Sequence, residues 1–323
     1  MSTPSARILA RLRSATAPVS GEDIATELGI SRAAIHKHVD ALREQGYQID
    51  ARHAQGYVLT GVPDRLDASE LGPRLRGAWR TIDWHATIDS TQRRAHELAR
   101  GGAPEGTMVI AESQTAGRGR LGRVWHSPPG VNLYLSLILR PPLAPAVVPQ
   151  LALVAGLAVA RAIEEQTGMA ARLKWPNDVL VGDRKVCGIL TEMDAEVERV
   201  HFVVVGIGVN VNASEEAFPP DLRDRATSLA ITTGGPVDRA GLAAAVLAAL
   251  EGDYARFLAA GFSPLRVEWE ARSALSGRTV TVRAATGAMT GTVAGLDDDG
   301  ALRLADAAGG IHRVLAGEVT LAQ

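Results

Sequence analysis

The sequence predicts an α+β chain in three parts: a helical N-terminal module closed by a hairpin, a central mixed α/β domain, and a short all-β piece. Three observations carry this. Helical periodicity recurs three times within residues 1–62 and is followed by a strand pair. Over residues 66–274, long Ala/Leu helices are interspersed with hairpins instead of alternating strictly with single strands, which points to a mixed or antiparallel sheet. Residues 275–323 switch to short alternating strands. A length of 323 residues suits two or three domains of ~150 residues each.

Composition narrows the class. A net charge of −2 provides no global basic field for nucleic acid or membrane. Hydrophobic residues make up 46% and aromatics only 4%, so the core is built mainly from Ala, Val and Leu. The single cysteine, Cys187, excludes an internal disulfide and fits a reducing compartment. Met1–Ser14 carries three arginines and no apolar core of a signal peptide. The apolar run Leu151–Ala160 is short against the ~20 residues of a bilayer span and reads as a buried helix. These features describe a soluble cytoplasmic protein.

In the N-terminal module, Ile8, Leu9 and Leu12 share one helical face, and Ile24 and Leu28 follow a Ser20 start. Gly29 breaks the second helix and Ser31 caps the third, where Ile35, Val39 and Leu42 form the buried stripe. Arg32, Ala33, His36 and Lys37 lie on the opposite face. Two short helices joined by a glycine turn, the second with a polar face, make a helix-turn-helix signature, and Tyr47–Leu59 supplies a wing. Ser31, Arg32, Ala33, His36 and Lys37 are the candidate DNA-contacting residues. Charge adds little: seven Lys/Arg against six Asp/Glu give only +1 over residues 1–62.

The central domain is organised around Gln114–Gly130, where Gly117, Gly119 and Gly122 alternate with Arg118, Arg120 and Arg123 between two apolar strands. Glycine allows backbone N–H groups close to an anion, and arginine adds forks that match phosphate or carboxylate oxygens. Without a ligand the arginines should repel one another and the loop should order poorly. Ser90-Thr91 opens a helix after a strand, where such hydroxyls act first as an N-cap and can also face a polar ligand. Lys185 begins a hairpin strand after Gly182-Asp183-Arg184, and Gly188 inside that strand marks a bulge or a close approach. Gly206 and Gly208 mark another close approach, by a backbone or a ligand. No phosphate-loop, dinucleotide or zinc motif is present. At the C-terminus, strands at 278–283, 291–296, 301–304 and 312–315 describe a small barrel or curled sheet.

Five motifs in order resemble the biotin protein ligase family, in its bifunctional ligase–repressor type: Asp89–Gln92, Gln114–Arg123, Lys174–Asp178, Asp183–Leu190 and Gly206–Asn212. The resemblance covers the whole chain. It implies a winged helix-turn-helix over 1–62, a class II aminoacyl-tRNA synthetase-like catalytic domain over 66–274 and an SH3-like β-barrel over 275–323. It further implies ATP with Mg²⁺, biotin as substrate, a biotin carboxyl carrier protein as acceptor, operator DNA and a ligand-induced homodimer. No metal ligand of the protein's own is assigned.

By family match, Lys185, Arg118 and Arg120 are the catalytic residues. Ser90, Thr91, Gln92, Gln114, Gly119 and Gly188 join them around biotin. Arg123, Trp125, Lys174, Asn177, Asp178, Asn210 and Asn212 join the two arginines around ATP and the adenylate. Gln92 stands where the family often has Asn, and so does His36 on the recognition helix. A lipoate-type ligase sharing this fold and chemistry is the nearest alternative. The other is a transcription factor whose ligase-like domain only senses biotin, although Lys185 and all three loop arginines are retained.

Overall fold

The computed structural model describes residues 3–284 and 287–322, arranged as two compact units, residues 1–64 and 65–323. In the first unit, α1 (Pro4–Arg13), α2 (Gly21–Leu28) and α3 (Arg32–Glu44) precede an antiparallel hairpin of β1 (Gln48–Arg52) and β2 (Gly56–Gly61). The Ser20 side chain caps α2, left-handed Gly29 ends it, and Ser31 Oγ accepts from Ala34 N at 3.2 Å to start α3. Ile8, Ile24, Ile35 and Val39 close a separate core with Tyr57 of β2. Arg32, Ala33, His36 and Lys37 stay exposed on α3, and His36 Nδ1 lies 2.8 Å from the Tyr57 hydroxyl.

The second unit opens with α4 (Ala68–Leu71) and β3 (Ile82–His85), then α5 (Thr91–Arg100), β4 (Met108–Ala111) and β5 (Leu133–Leu139). After α6 (Gln150–Thr167) come β6 (Ala171–Lys174), β7 (Asp178–Val181), β8 (Arg184–Ala195) and β9 (Val200–Val209). These seven strands form one sheet in the order β3-β4-β5-β9-β8-β7-β6, in which only β3 and β4 run parallel. The mixed sheet expected from the interspersed hairpins is therefore the one formed. The helices α7 (Leu229–Thr233), α8 (Arg239–Ala260) and α9 (Ser263–Ala271) complete this part. Helix α6 is long and apolar enough to cross a bilayer, but eleven of its residues, from Leu151 to Ile163, are buried in the shared core.

The C-terminal sheet consists of β10 (Thr279–Ala284), β11 (Gly287–Leu296), β12 (Leu302–Ala305), β13 (Ile311–Val314) and β14 (Glu318–Leu321). All pairings are antiparallel, in the order β13-β12-β11-β10-β14. Strand β14 was missing from the sequence reading; its four residues bury only Val319, too little alternation to stand out. The sheet belongs to the same compact unit as the large one. Val280, Leu296 and Leu304 lie in the common core, and Trp175 Nε1 donates to Gly300 O at 3.1 Å.

One buried ion pair ties this unit together behind the loop at 114–130. Arg239, at the start of α8 and fully buried, donates to Glu112 Oε2 at 2.8 Å and to Asn132 O at 3.1 Å. The other oxygen of Glu112 accepts from Leu66 N at 2.9 Å. Removing one partner of such a pair strands a buried charge, so Arg239→Met should cost about 3–5 kcal/mol in a urea-unfolding measurement. A loss within about 0.5 kcal/mol, the usual range for surface changes, would show the pair to be dispensable.

Candidate active site

A cleft of about 480 Å³, open to solvent, lies on one face of strands β5, β9 and β8. Its floor is almost bare backbone. Gly208 pairs with Gly188 and with Tyr134, and Gly206 pairs with Leu190 and Ser136, so the three glycines meet on one face of adjacent strands. The close approach expected at these positions has an identity in each case. A Cβ on Gly208 would lie 2.5 Å from Trp125 Cε2, one on Gly188 2.9 Å from Trp125 Cζ3, and one on Gly206 2.6 Å from Gln92 Oε1. The missing side chains make room for an indole and an amide close against the sheet.

One wall is the start of α5. Ser90 occupies the N-cap position but its side chain makes no cap bond; its hydroxyl is buried with no partner. Gln114 takes over the capping role, its Oε1 accepting from Thr91 N at 2.9 Å and from Thr91 Oγ1 at 3.1 Å. Ser136 Oγ reaches Thr91 Oγ1 at 2.9 Å and Gln92 Oε1 at 3.1 Å, while Gln92 Nε2 donates to Val204 O at 3.2 Å. Gln114 Nε2 donates to Ser127 Oγ at 3.0 Å. An orphaned buried hydroxyl costs free energy, about 1–3 kcal/mol, that a ligand hydrogen bond recovers.

The loop forms the roof. Gly119 N donates to Arg123 O at 2.7 Å and Trp125 N to Gly117 O at 2.9 Å, closing a small hairpin whose tip holds Leu121 and Gly122 at positive φ. The arginines do not repel one another into disorder, as their sequence spacing suggests, because each has its own partner. Arg118 Nη2 donates to Glu192 Oε1 at 2.9 Å, Arg120 Nη1 to Asn177 Oδ1 at 2.6 Å, and Arg123 Nη2 to Glu318 Oε1 at 2.6 Å. Burial pulls the Arg120 guanidinium below its usual pKa, with Asp178 and Glu318 pulling the other way. His96, then Gln92 and Arg118, hold the Glu192 carboxyl below the ordinary carboxylate range against the effect of burial. Hydrogen bonding from Arg123 does the same for Glu318.

Lys185 reaches the cleft because of an irregularity two residues before Gly188, where the sequence suggested it. Val179 pairs with Cys187 and Leu180 with Lys185, leaving Val186 as an extra residue in β8. That bulge turns Lys185 to the side of Gly188, where its ammonium lies 3.0 Å from the position of a Gly188 Cβ. The ammonium pairs with Asp178 Oδ1 at 2.5 Å and stands 5.4 Å from the centre of the Trp125 ring. Cys187 points into the core, where burial raises its thiol pKa.

Eleven of the sequence-selected residues therefore come together: Ser90, Thr91, Gln92, Gln114, Arg118, Gly119, Arg120, Trp125, Asn177, Lys185 and Gly188. Five others lie outside the lining. Asp178 acts through Lys185, Lys174 sits opposite Asp178 in the β6–β7 pair, and Arg123 extends to β14. Asn210 Nδ2 donates to Thr227 O at 3.2 Å. Asn212 and Val237 exchange two bonds, at 2.9 and 2.8 Å. Both amides clamp the segment from 227 to 237 onto the sheet. Sequence reasoning missed Tyr134, Ser136 and Leu190, and strand alternation beside the glycines was the signal available for them. Among the described residues no three His, Cys, Asp or Glu side chains cluster as a metal cage.

A glycine-floored cleft roofed by an arginine loop, in a chain that also carries a helix-turn-helix unit, defines a ligase-type catalytic domain joined to a DNA-binding-type module. Three family models match in order: an HTH domain over 5–58, the biotin/lipoate A/B protein ligase family over 84–210, and the biotin protein ligase C-terminal domain over 275–321. The bifunctional ligase/repressor BirA of Bacillus subtilis is 42% identical over 94% of both chains. That of Escherichia coli is 33% identical over 94% of this chain and 92% of its own. The Aquifex aeolicus biotin protein ligase, solved with biotin and ATP, superposes with a TM-score of 0.66 at 35% identity, covering 76% of this chain and 99% of its own. The chain belongs to the biotin protein ligase family, in its bifunctional ligase/repressor branch.

The capping geometry separates two residues by their effect on folding. Gln114→Ala should lower stability by about 1 kcal/mol through loss of a helix cap, whereas Ser90→Ala, which removes a buried hydroxyl without a partner, should leave it unchanged or raise it by up to about 1–3 kcal/mol. Urea midpoints measured without ligand provide the check. Equal losses at both positions would return the capping role to Ser90.

Proposed function

We propose that the protein is an ATP-dependent biotin–[biotin carboxyl carrier protein] ligase that works through biotinyl-5′-AMP. In the first step the biotin carboxylate oxygen attacks the α-phosphorus of ATP; the new P–O bond forms as the bond to pyrophosphate breaks. In the second step the ε-amine of a carrier lysine attacks the acyl carbon of the mixed anhydride, and AMP leaves. Such transfers depend mainly on positioning and charge neutralisation.

The single observation that best supports this reading is the convergence of Lys185, Arg118 and Arg120 over a backbone floor. Lys185 would neutralise the carboxylate and the charge developing on the phosphorus oxygens. Arg118 and Arg120 would hold the phosphates and then the adenylate, with Asn177 beside Arg120. Ser90, Thr91, Gln92 and Gln114 would offer donors and acceptors to the neutral ureido ring, which the orphaned Ser90 hydroxyl suits. Gly119 and Gly188 would let the ligand approach backbone, and Trp125 would cover it and exclude water. Arg123, Lys174, Asp178, Asn210 and Asn212 would act on the adenylate only through the elements they hold. Mg²⁺ would enter with the triphosphate, keeping waters as ligands, since the described residues build no carboxylate cage for it.

Exchange of labelled pyrophosphate into ATP tests the enzyme. Biotin should support it, and Lys185→Ala should reduce the rate by about 10²–10³ with an unchanged melting profile. Exchange supported by lipoate and not by biotin would sink the reading, and wild-type turnover in the variant would remove Lys185 from it.

The exposed Ser31-Arg32-Ala33 start of α3, with His36 and Lys37 on the same helix, favours a second activity as a biotin-dependent repressor, with a ligand-induced dimer placing two modules on one operator. Genomic fragments captured at near-physiological salt with biotin and Mg-ATP should be enriched in palindromic sites near biotin-synthesis or uptake genes. Weak, ligand-independent capture would leave a cytoplasmic ligase without repressor activity.

A further inference from the structure

Glu192 lies on the pocket face of β8, two residues beyond Leu190 and four beyond Gly188, yet it does not line the cleft. Its two oxygens face Arg118 at 2.9 and 3.3 Å, a forked pair that fixes the plane of the guanidinium as well as its distance. Support for the carboxylate comes from behind. His96 Nε2 stands 3.5 Å from Glu192 Oε2 and packs edge-on against Phe202, with ring centres 5.4 Å apart. His96 is one helical turn beyond Gln92 on α5, and Gln92 binds the carbonyl of Val204, the residue paired with Glu192 across β8 and β9. A stripe of α5 therefore holds Glu192, and Glu192 holds the loop arginine.

We propose that Glu192 is a positioning residue for adenylation: it keeps Arg118 extended along the pocket wall so that the guanidinium is in place when the ligand anion arrives. This rests on the ligase reading above. Arginine carries a large rotamer entropy, and on a glycine-rich loop an untethered guanidinium would have to be ordered at the expense of ligand affinity. Arg118 is half exposed and Glu192 about a quarter, so solvent screens the pair and the ligand can meet the guanidinium while Glu192 still holds it. Acting before the chemical step, Glu192 affects ligand binding and leaves the barrier to phosphoryl transfer alone.

The test is a double-mutant cycle of Glu192→Gln and Arg118→Ala in biotin-dependent ATP–pyrophosphate exchange, with melting curves to establish that each variant folds. Glu192→Gln keeps the shape and removes the charge. It should raise the KM for ATP by about fivefold while kcat stays within about twofold. In the Arg118→Ala background the same substitution should change nothing further. An unchanged KM, an equal rise in both backgrounds, or a lower KM, the sign of a carboxylate that merely competes with the ligand, would each overturn the proposal. Absence of biotin-dependent exchange in the wild-type protein would instead overturn the ligase reading, so the two failures are distinguishable.

Discussion

The site depends on an absence. Three glycines on two hydrogen-bonded strands leave a strip of the central sheet without side chains, and any Cβ there would collide with Trp125 or Gln92. The strip is not a weakness in the sheet, because β5, β9 and β8 pair along their length and the opposite face is packed with Ile189, Ile207 and Val209. Continuous pairing keeps the floor rigid while its upper face remains low enough for an aromatic ring and a ligand. Glycine loses more conformational freedom on folding than any other residue, and the strands on both sides offset that cost.

Around that floor the polar groups fall into two kinds. The amides and hydroxyls of α5 and Ser136 are linked in a chain from Gln114 through Thr91 to Gln92, and among the described cleft residues the Ser90 hydroxyl and the Trp125 indole N–H are buried without a partner. The charged groups are paired one to one instead, each to a different element: β8, the β6–β7 turn and β14. A neutral ring and an anionic phosphate make different demands, and the two ends of the cleft meet them with different chemistry.

Much of this was legible in the sequence. The helical stripes of the first unit, the mixed sheet and the ligand loop follow from local periodicity and from glycines and prolines at turns. The positions of Gly188, Gly206 and Gly208 announced a close approach, though not that an indole would fill it. What escaped depended on tertiary detail. Lys185 points into the cleft because of a bulge at Val186, which no side-chain pattern around Val179 or Cys187 encodes. Asn210 and Asn212 have the chemistry of ligand groups, but their amides satisfy the backbone of a loop distant in sequence. Ser90 stands at the N-cap position without capping, and an amide far along the chain, that of Gln114, meets the helix at Thr91 N instead.

The paired arginines have a consequence for the energetics of binding. A loop of free cations would gain new ion pairs when it met a polyanion, and its affinity would fall steeply with added salt. Here Arg118 and Lys185 already hold carboxylates, and Arg120 an amide oxygen. An incoming anion meets cations whose charge is already partly neutralised by these partners, so each added contact gains less. The electrostatic gain is then small for any anion, a stray polyphosphate included. Discrimination passes to the uncharged contacts, the flat floor and the waiting hydroxyl, which only a ligand of the right shape can satisfy.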